Sequence, residues 1–396
     1  MNESATIRRL SAQEVQVARK INVAAIQMDA NPAPTADRLA RAERLVVKAA
    51  KAGAQLVVLP ELFNIGYAYA DVNYRLAEPL DGPTVAWMQQ TSARLNVHLA
   101  GSLLVLDQDD VYNTLLLLAP DGQMWRYDKH YPWGWERAYF RPGDRITVAK
   151  TELGDLGMMI CWDIAHRELW KRYAGRVDML IIASCPPDIP NATYHLPNGD
   201  QLTADDMGPL IALLKENGRL TFGDMLNQQA AWLGAPVVHT VGSGHIQTAL
   251  PNARTSLLSF LLSAPWLVKH LPRADRIQVS CDMLPGCRVL DANGQALAEL
   301  TQDQGETFII TEVVLAAEKP SPQKPPPASP LPWFAYFISD MLLPLLTLSV
   351  YRKGLRRAWG EGMAPVQAST RRWVQLLGLS VIAGFVVGIL VGRKKL

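Results

Sequence analysis

Three short stretches put reactive side chains where strands would end. "LVVLPELF" places Glu61 directly after a run of Leu and Val. "YDKHYPWGWERAYFRPGD" (127–144) offers Lys129 and Glu136 among crowded aromatic residues, and "LGMMICWD" places Cys161 after another apolar run. Each alone reads blandly. A free cysteine is most often core filler, Glu61 alone is a strand-end charge and Lys129 alone a solvated surface lysine. Together they suit one chemistry. A thiol attacks an amide, carbamoyl or nitrile carbon, while a carboxylate takes the thiol proton and later activates water. An ammonium stabilises the developing oxyanion and helps hold the thiolate. Other chemistries lack their residues. "HTVGSGH" (239–245) has no Gly-x-Ser-x-Gly elbow, and no Gly-x-x-x-x-Gly-Lys loop occurs. Cys281 and Cys287 have no partner pair at zinc-binding spacing, so no metal or cofactor is expected.

The elements around these residues alternate. Strand-like runs occur at 21–28, 54–60, 97–106, 112–119, 156–161, 178–184 and 235–241. Helical patterns lie between them at 35–52, stopped by Gly53, and at 83–95, opened by Pro83, with shorter ones at 166–173 and 223–233. Alternation of this kind predicts an α/β sheet covered by helices. "DGQMWRYDK" and "VLDANGQALAEL" add antiparallel hairpins to it. In such sheets functional residues gather beyond the C-terminal ends of strands, where Glu61 and Cys161 both fall.

"VVLPELFNIGYAY", "YDKHYPWGWERAYFRPGD" and "MMICWDIAHREL", in that order, resemble the three catalytic motifs of the nitrilase superfamily, the carbon–nitrogen hydrolases. The resemblance covers about residues 20 to 315, including a late "CRVLDANGQALAEL" like the family's closing hairpin. It implies an α-β-β-α sandwich that usually dimerises through helical faces. It implies Glu61 as general base, Lys129 as oxyanion stabiliser and Cys161 as acylated nucleophile. Glu136 matches a second glutamate that positions lysine and substrate, and the backbone N–H of Trp162 would be the other oxyanion donor. The sequence also departs from the family. His166 stands where proline is common, and two extra pieces, 191–220 and 246–277, flank the region that normally sets selectivity. The second contains "SLLSFLLSAPWLV" (256–268), which is too short to span a bilayer and is read as core, lid or membrane-dipping patch. True nitrilases favour a glutamate near the cysteine, where this chain has Trp162 and Asp163, so an amide or carbamoyl substrate is expected over a nitrile. Acyl transfer through the same thioester is the alternative. Apolipoprotein N-acyltransferases share the catalytic domain but carry a multi-helix membrane domain ahead of it. A membrane scaffold without turnover is the non-enzyme alternative.

The 396 residues carry a formal net charge of +2, which argues against nucleic acid as the main partner. Four cysteines make no disulfide framework, and the opening twenty residues lack an apolar leader, so a reduced, cytosol-facing setting is expected. "WVQLLGLSVIAGFVVGILVG" (373–392) is uncharged and of spanning length, flanked by Arg371 and Arg372 before and "RKK" after. Within it Ser380, Gly384, Gly388 and Gly392 form a small-residue stripe suited to helix pairing. The apolar stretch 331–351 carries Asp340 near its centre. A charge there is costly in a bilayer, so it is read as surface-lying or half-inserted, with a second span as the alternative. The basic residues between these segments put the main domain in the cytoplasm by the positive-inside rule. The expected organisation is an arm (1–20), a hydrolase domain (21–317), a Pro-rich linker (318–332), a basic membrane-associated segment (333–372), a transmembrane helix (373–392) and a basic tail (393–396). The expected partners are a small or amphipathic amide, the bilayer and further copies of the chain.

Overall fold

A computed structural model of the chain describes residues 19–207, 212–261, 264–322 and 325–360. The segment 373–392 and its small-residue stripe lie outside the described residues. The first strand, β1 (Arg19–Asp29), leads to helix α1 (Thr35–Lys51), then β2 (Leu56–Val58), α2 (Pro83–Leu95), β3 (His98–Asp107), β4 (Asp110–Leu118) and β5 (Met124–Asp128). After a loop come β6 (Val148–Thr151), β7 (Gly154–Ile160), α3 (Arg167–Tyr173), β8 (Met179–Ser184), α4 (Leu226–Leu233) and β9 (Val237–Ser243). These strands hydrogen-bond in the order β5-β4-β3-β2-β1-β9-β8-β7-β6. β1 meets β9 only at Met28↔Gly242 and Asp29↔Ser243, so the sheet splays there into two leaves that face each other.

Side-chain alternation along each strand explains the layers. Ile21, Val23 and Ala25 of β1 pack with Leu156, Met158 and Ile160 of β7 between the leaves. Their neighbours Ala24, Ile26 and Met28 face outward onto Ala42, Leu45, Val46 and Ala49, one face of α1. Leu169, Trp170 and Tyr173 of α3 and Leu226, Ala230 and Leu233 of α4 cover the other leaf. The result is the expected α-β-β-α sandwich. Both expected hairpins form: β4 pairs with β5, and Arg288–Leu290 pairs with Ala296–Glu299.

The two extra pieces fold together. Thr193–His195 and Gln201–Leu202 from one join His245–Ala249 and Gln278–Asp282 in a separate four-stranded sheet. The apolar run 256–268 is half core and half surface: Leu257, Ala264 and Leu267 are buried, while Leu258, Trp266 and Val268 are exposed.

The Pro-rich linker lies against the domain. Lys319 pairs with Asp155 at 2.8 Å, and Arg167 donates to the Pro326 carbonyl, so the linker is a strap on the domain surface. It delivers the chain to one long helix, Trp333–Trp359, which is apolar and long enough by length and composition to cross a membrane. Here that helix docks on the sandwich domain. Leu343 sits over Gly134, where a Cβ would come within 2.8 Å of its methyl carbon. At Gly354 the helix backbone presses on the Tyr74 ring, leaving no room for a side chain. The Tyr351 hydroxyl donates to Asp110 at 2.8 Å and accepts the Val111 N–H at 3.0 Å. Asp340, the charge within the apolar stretch, accepts the Trp162 indole N–H at 3.2 Å. The carboxylate that is costly in a bilayer therefore meets a domain partner.

Candidate active site

Glu61 leaves β2 through "LPE" and is held from three sides. Its Oε1 accepts from Asn113 Nδ2 at 2.7 Å and from Lys129 Nζ at 2.8 Å, and its Oε2 accepts the Cys185 N–H at 2.9 Å. Lys129 follows β5, and its backbone N–H continues the ladder to the Asn113 carbonyl. Its ammonium is fully buried and also donates to Glu136 Oε2 at 2.7 Å. Glu136 sits in a 3-10 turn, Gly134–Ala138. It also accepts from the Trp133 N–H at 2.7 Å and the Tyr67 hydroxyl at 2.8 Å. Glu61, Lys129 and Glu136, spread over 75 positions of sequence, thus form one buried ionic chain.

Cys161 directly follows β7 and opens a 3-10 turn, Cys161–Ala165. Its φ is 51°, a left-handed backbone that non-glycine residues adopt at a cost of about 1–3 kcal/mol and mostly at functional sites. Asp163 holds that turn. It accepts the Tyr127 hydroxyl at 2.7 Å and the Ile160 N–H at 3.0 Å on one oxygen, and the Tyr131 N–H at 2.8 Å on the other. Cys161 and Glu136 line a cleft open to solvent, together with Tyr67 and Trp162.

The electrostatics set resting protonation states. Burial by itself lowers the Lys129 pKa, but the facing Glu136 and Glu61 carboxylates outweigh it and hold it well above its ordinary value. Lys129 is therefore a fixed cation. Burial, reinforced by the Glu61 charge, pushes the Cys161 thiol well above its ordinary value, with Lys129 acting the other way. The resting group is a thiol that needs a base, and a carboxylate neighbour is present. Burial also raises Glu136, against the pull of Lys129. An ammonium has three donors; two of those on Lys129 are spent on carboxylates, leaving one for a developing negative charge.

The sequence-based set of Glu61, Lys129, Glu136, Cys161 and Trp162 comes together at one end of the sandwich. Trp162 lines the cleft with its ring tied to Asp340. His166 stacks on Tyr131, and burial holds its pKa to about 3. It is neutral, so its 3.5 Å approach to Asp340 is no ion pair. Four supporting roles escaped the sequence reading: those of Tyr67, Asn113, Asp163 and Asp340. Tyr67 and Asp163 lie inside the quoted motifs, which was the available signal; Asp340 stood out only as a charge in an apolar run, and Asn113 carried no signal.

Residues 22–204 match the carbon–nitrogen hydrolase family. A nitrilase of Pyrococcus abyssi is 31% identical over 148 residues, covering 36% of this chain and 56% of the relative. An omega-amidase of Danio rerio is 30% identical over 174 residues, covering 41% and 62%. The matched stretch thus spans little more than half the length of these relatives. Among solved structures, a nitrilase-superfamily protein of Saccharomyces cerevisiae aligns with a TM-score of 0.54 at 20% identity, over 75% of this chain and 91% of that one. An amidase of Nesterenkonia gives 0.53 at 17%, over 74% and 90%. These likenesses establish the fold.

Proposed function

We propose, from the premise that this chain belongs to the nitrilase superfamily of carbon–nitrogen hydrolases, that it is an amidase-type hydrolase working through a thioester on Cys161. One observation carries the reading: the buried Glu61–Lys129–Glu136 chain beside a cysteine on a left-handed strand end. Cys161 Sγ attacks the carbonyl carbon as its proton passes to Glu61. The oxyanion takes the remaining donor of Lys129 and the Trp162 backbone N–H. Collapse breaks the C–N bond, and the amine leaves with the proton from Glu61. Water, deprotonated by Glu61, then cleaves the thioester and frees the acid and the thiol. Amides are favoured over nitriles because Asp163 is wholly engaged in bracing the nucleophile turn. Relatives named omega-amidase and (R)-stereoselective amidase support that choice, and the relative named nitrilase keeps nitrile hydrolysis as the alternative.

The same reading holds the protein at a membrane through residues 373–392, with the catalytic domain on the cytoplasmic side, as a homodimer or larger homo-oligomer. The uncharged span, its basic flanks and the Ser380, Gly384, Gly388, Gly392 stripe support this. Turnover of a panel of amides, carbamoyl compounds and nitriles by the full chain, beside Cys161→Ala, tests the chemistry. Acid and ammonia from amides, lost in the variant, are expected; hydrolysis of no class by the wild type refutes it. Protease treatment of sealed inverted vesicles tests sidedness: a cleaved catalytic domain agrees with the cytoplasmic placement, and a protected one refutes it.

A further inference from the structure

The docking helix is part of the active site. Ala335, Ile338 and Ser339 line the cleft that contains Cys161. Trp133, Phe222 and Leu284 of the hydrolase domain line it with them. The wall is fixed in register with the nucleophile turn. Asp340 takes the Trp162 indole N–H, and the Tyr336 hydroxyl donates to the Ala165 carbonyl at 2.9 Å. Trp162 and Ala165 lie on the turn that opens with Cys161, so the helix cannot shift without disturbing the nucleophile's own support.

The lining also has a charge signature. Among the described residues, no Lys, Arg or His lines the cleft, and its one carboxylate is Glu136. Lys129 lies behind, fully buried and already paired with two carboxylates. A substrate carrying a carboxylate in this cleft would have no cation to meet and would face Glu136, and an unpaired charge taken out of water is costly. An apolar chain meets Trp133, Phe222, Leu284 and Ile338.

We propose that the docking helix is the specificity wall of this site, with Ile338 limiting the depth of a cleft that selects amides bearing an uncharged, apolar acyl chain. This rests on the hydrolase reading above. A graded series of straight-chain primary amides and their ω-carboxylated counterparts, assayed as kcat/KM with the full chain, tests it. Wild type, Ile338→Ala and Ile338→Trp are compared, with a melting curve for each. The expected results are at least a hundredfold preference of the wild type for the uncharged member of each pair, and an optimum displaced to longer chains in Ile338→Ala. Each methylene newly accommodated should gain about fourfold. Ile338→Trp should displace the optimum to shorter chains. Identical length profiles in all three folded proteins, or a preference for the carboxylated series, overturn the specificity wall and leave the hydrolase reading standing. Absence of turnover with every amide overturns both.

Discussion

Asp340→Asn should make the protein more stable at neutral pH while keeping its shape. Asp340 sits between the Trp162 indole, which donates to it, and neutral His166. Burial raises its pKa from 3.8 to about 6, partly offset by Trp162 and the Arg137 charge and reinforced by the Asp163 charge. Its side chain is 18% exposed, so solvent screening reduces the effect only modestly. A carboxyl raised this far binds a proton in the folded state that the unfolded chain has already released. Its stability contribution is therefore present below about pH 4, falls as pH rises through about 6, and stays lost above it. Some two pH units correspond to about 3 kcal/mol at pH 7. Asparagine keeps an oxygen for the Trp162 indole, and the charge assistance it gives up is already contained in the net shift. Allowing for partial solvent screening, the expectation is a gain of about 2–3 kcal/mol at pH 7 and none at pH 4. Urea unfolding of the intact chain in mild detergent, wild type beside variant at pH 4, 5, 6 and 7, reads it directly. A difference that does not grow between pH 4 and 6, or a variant less stable at pH 7, would refute the assignment of Asp340 as a buried, strained carboxylate.

Two further substitutions probe the site from inside. Lys129→Met leaves Glu61 and Glu136 buried without their cation; it should cost about 3–5 kcal/mol in unfolding free energy and at least a hundredfold in kcat, read by denaturant melts and steady-state rates. Asp163→Asn can keep its bonds to Tyr127 and Ile160 on one oxygen, but its amide N–H then opposes the Tyr131 N–H. A loss of about 1–3 kcal/mol is expected, with a fall in kcat from the loosened nucleophile turn; unchanged stability and rate would show that Asp163 does not brace it.

The parts of the site that could be read from sequence are those whose signal is local. Glu61 and Cys161 follow apolar strands, and that position forecasts the functional edge of an α/β sheet. Lys129 and Glu136 share one short stretch, and Trp162 follows the nucleophile. What stayed hidden depends on pairing across the fold. Asn113 is an ordinary strand residue until β4 brings it to Glu61. The extra pieces looked like separate inserts until Gln278–Asp282, just past the second, paired with Thr193–His195 on one side and His245–Ala249 on the other. Asp340 shows the limit most plainly. As a charge in an apolar run it argued for a membrane-surface element, and its partner Trp162 lies 178 positions away. Hydropathy alone does not distinguish a bilayer from the face of another domain.

The central claim is that Cys161 carries the acyl group. Acid-quenching the full-length protein during turnover of a short uncharged amide, followed by peptide mass mapping, tests it most directly. The account predicts the acyl mass on the peptide containing Cys161, with Cys185, buried beside the same glutamate, unmodified. An adduct on any other residue, or turnover retained in Cys161→Ala, would contradict it.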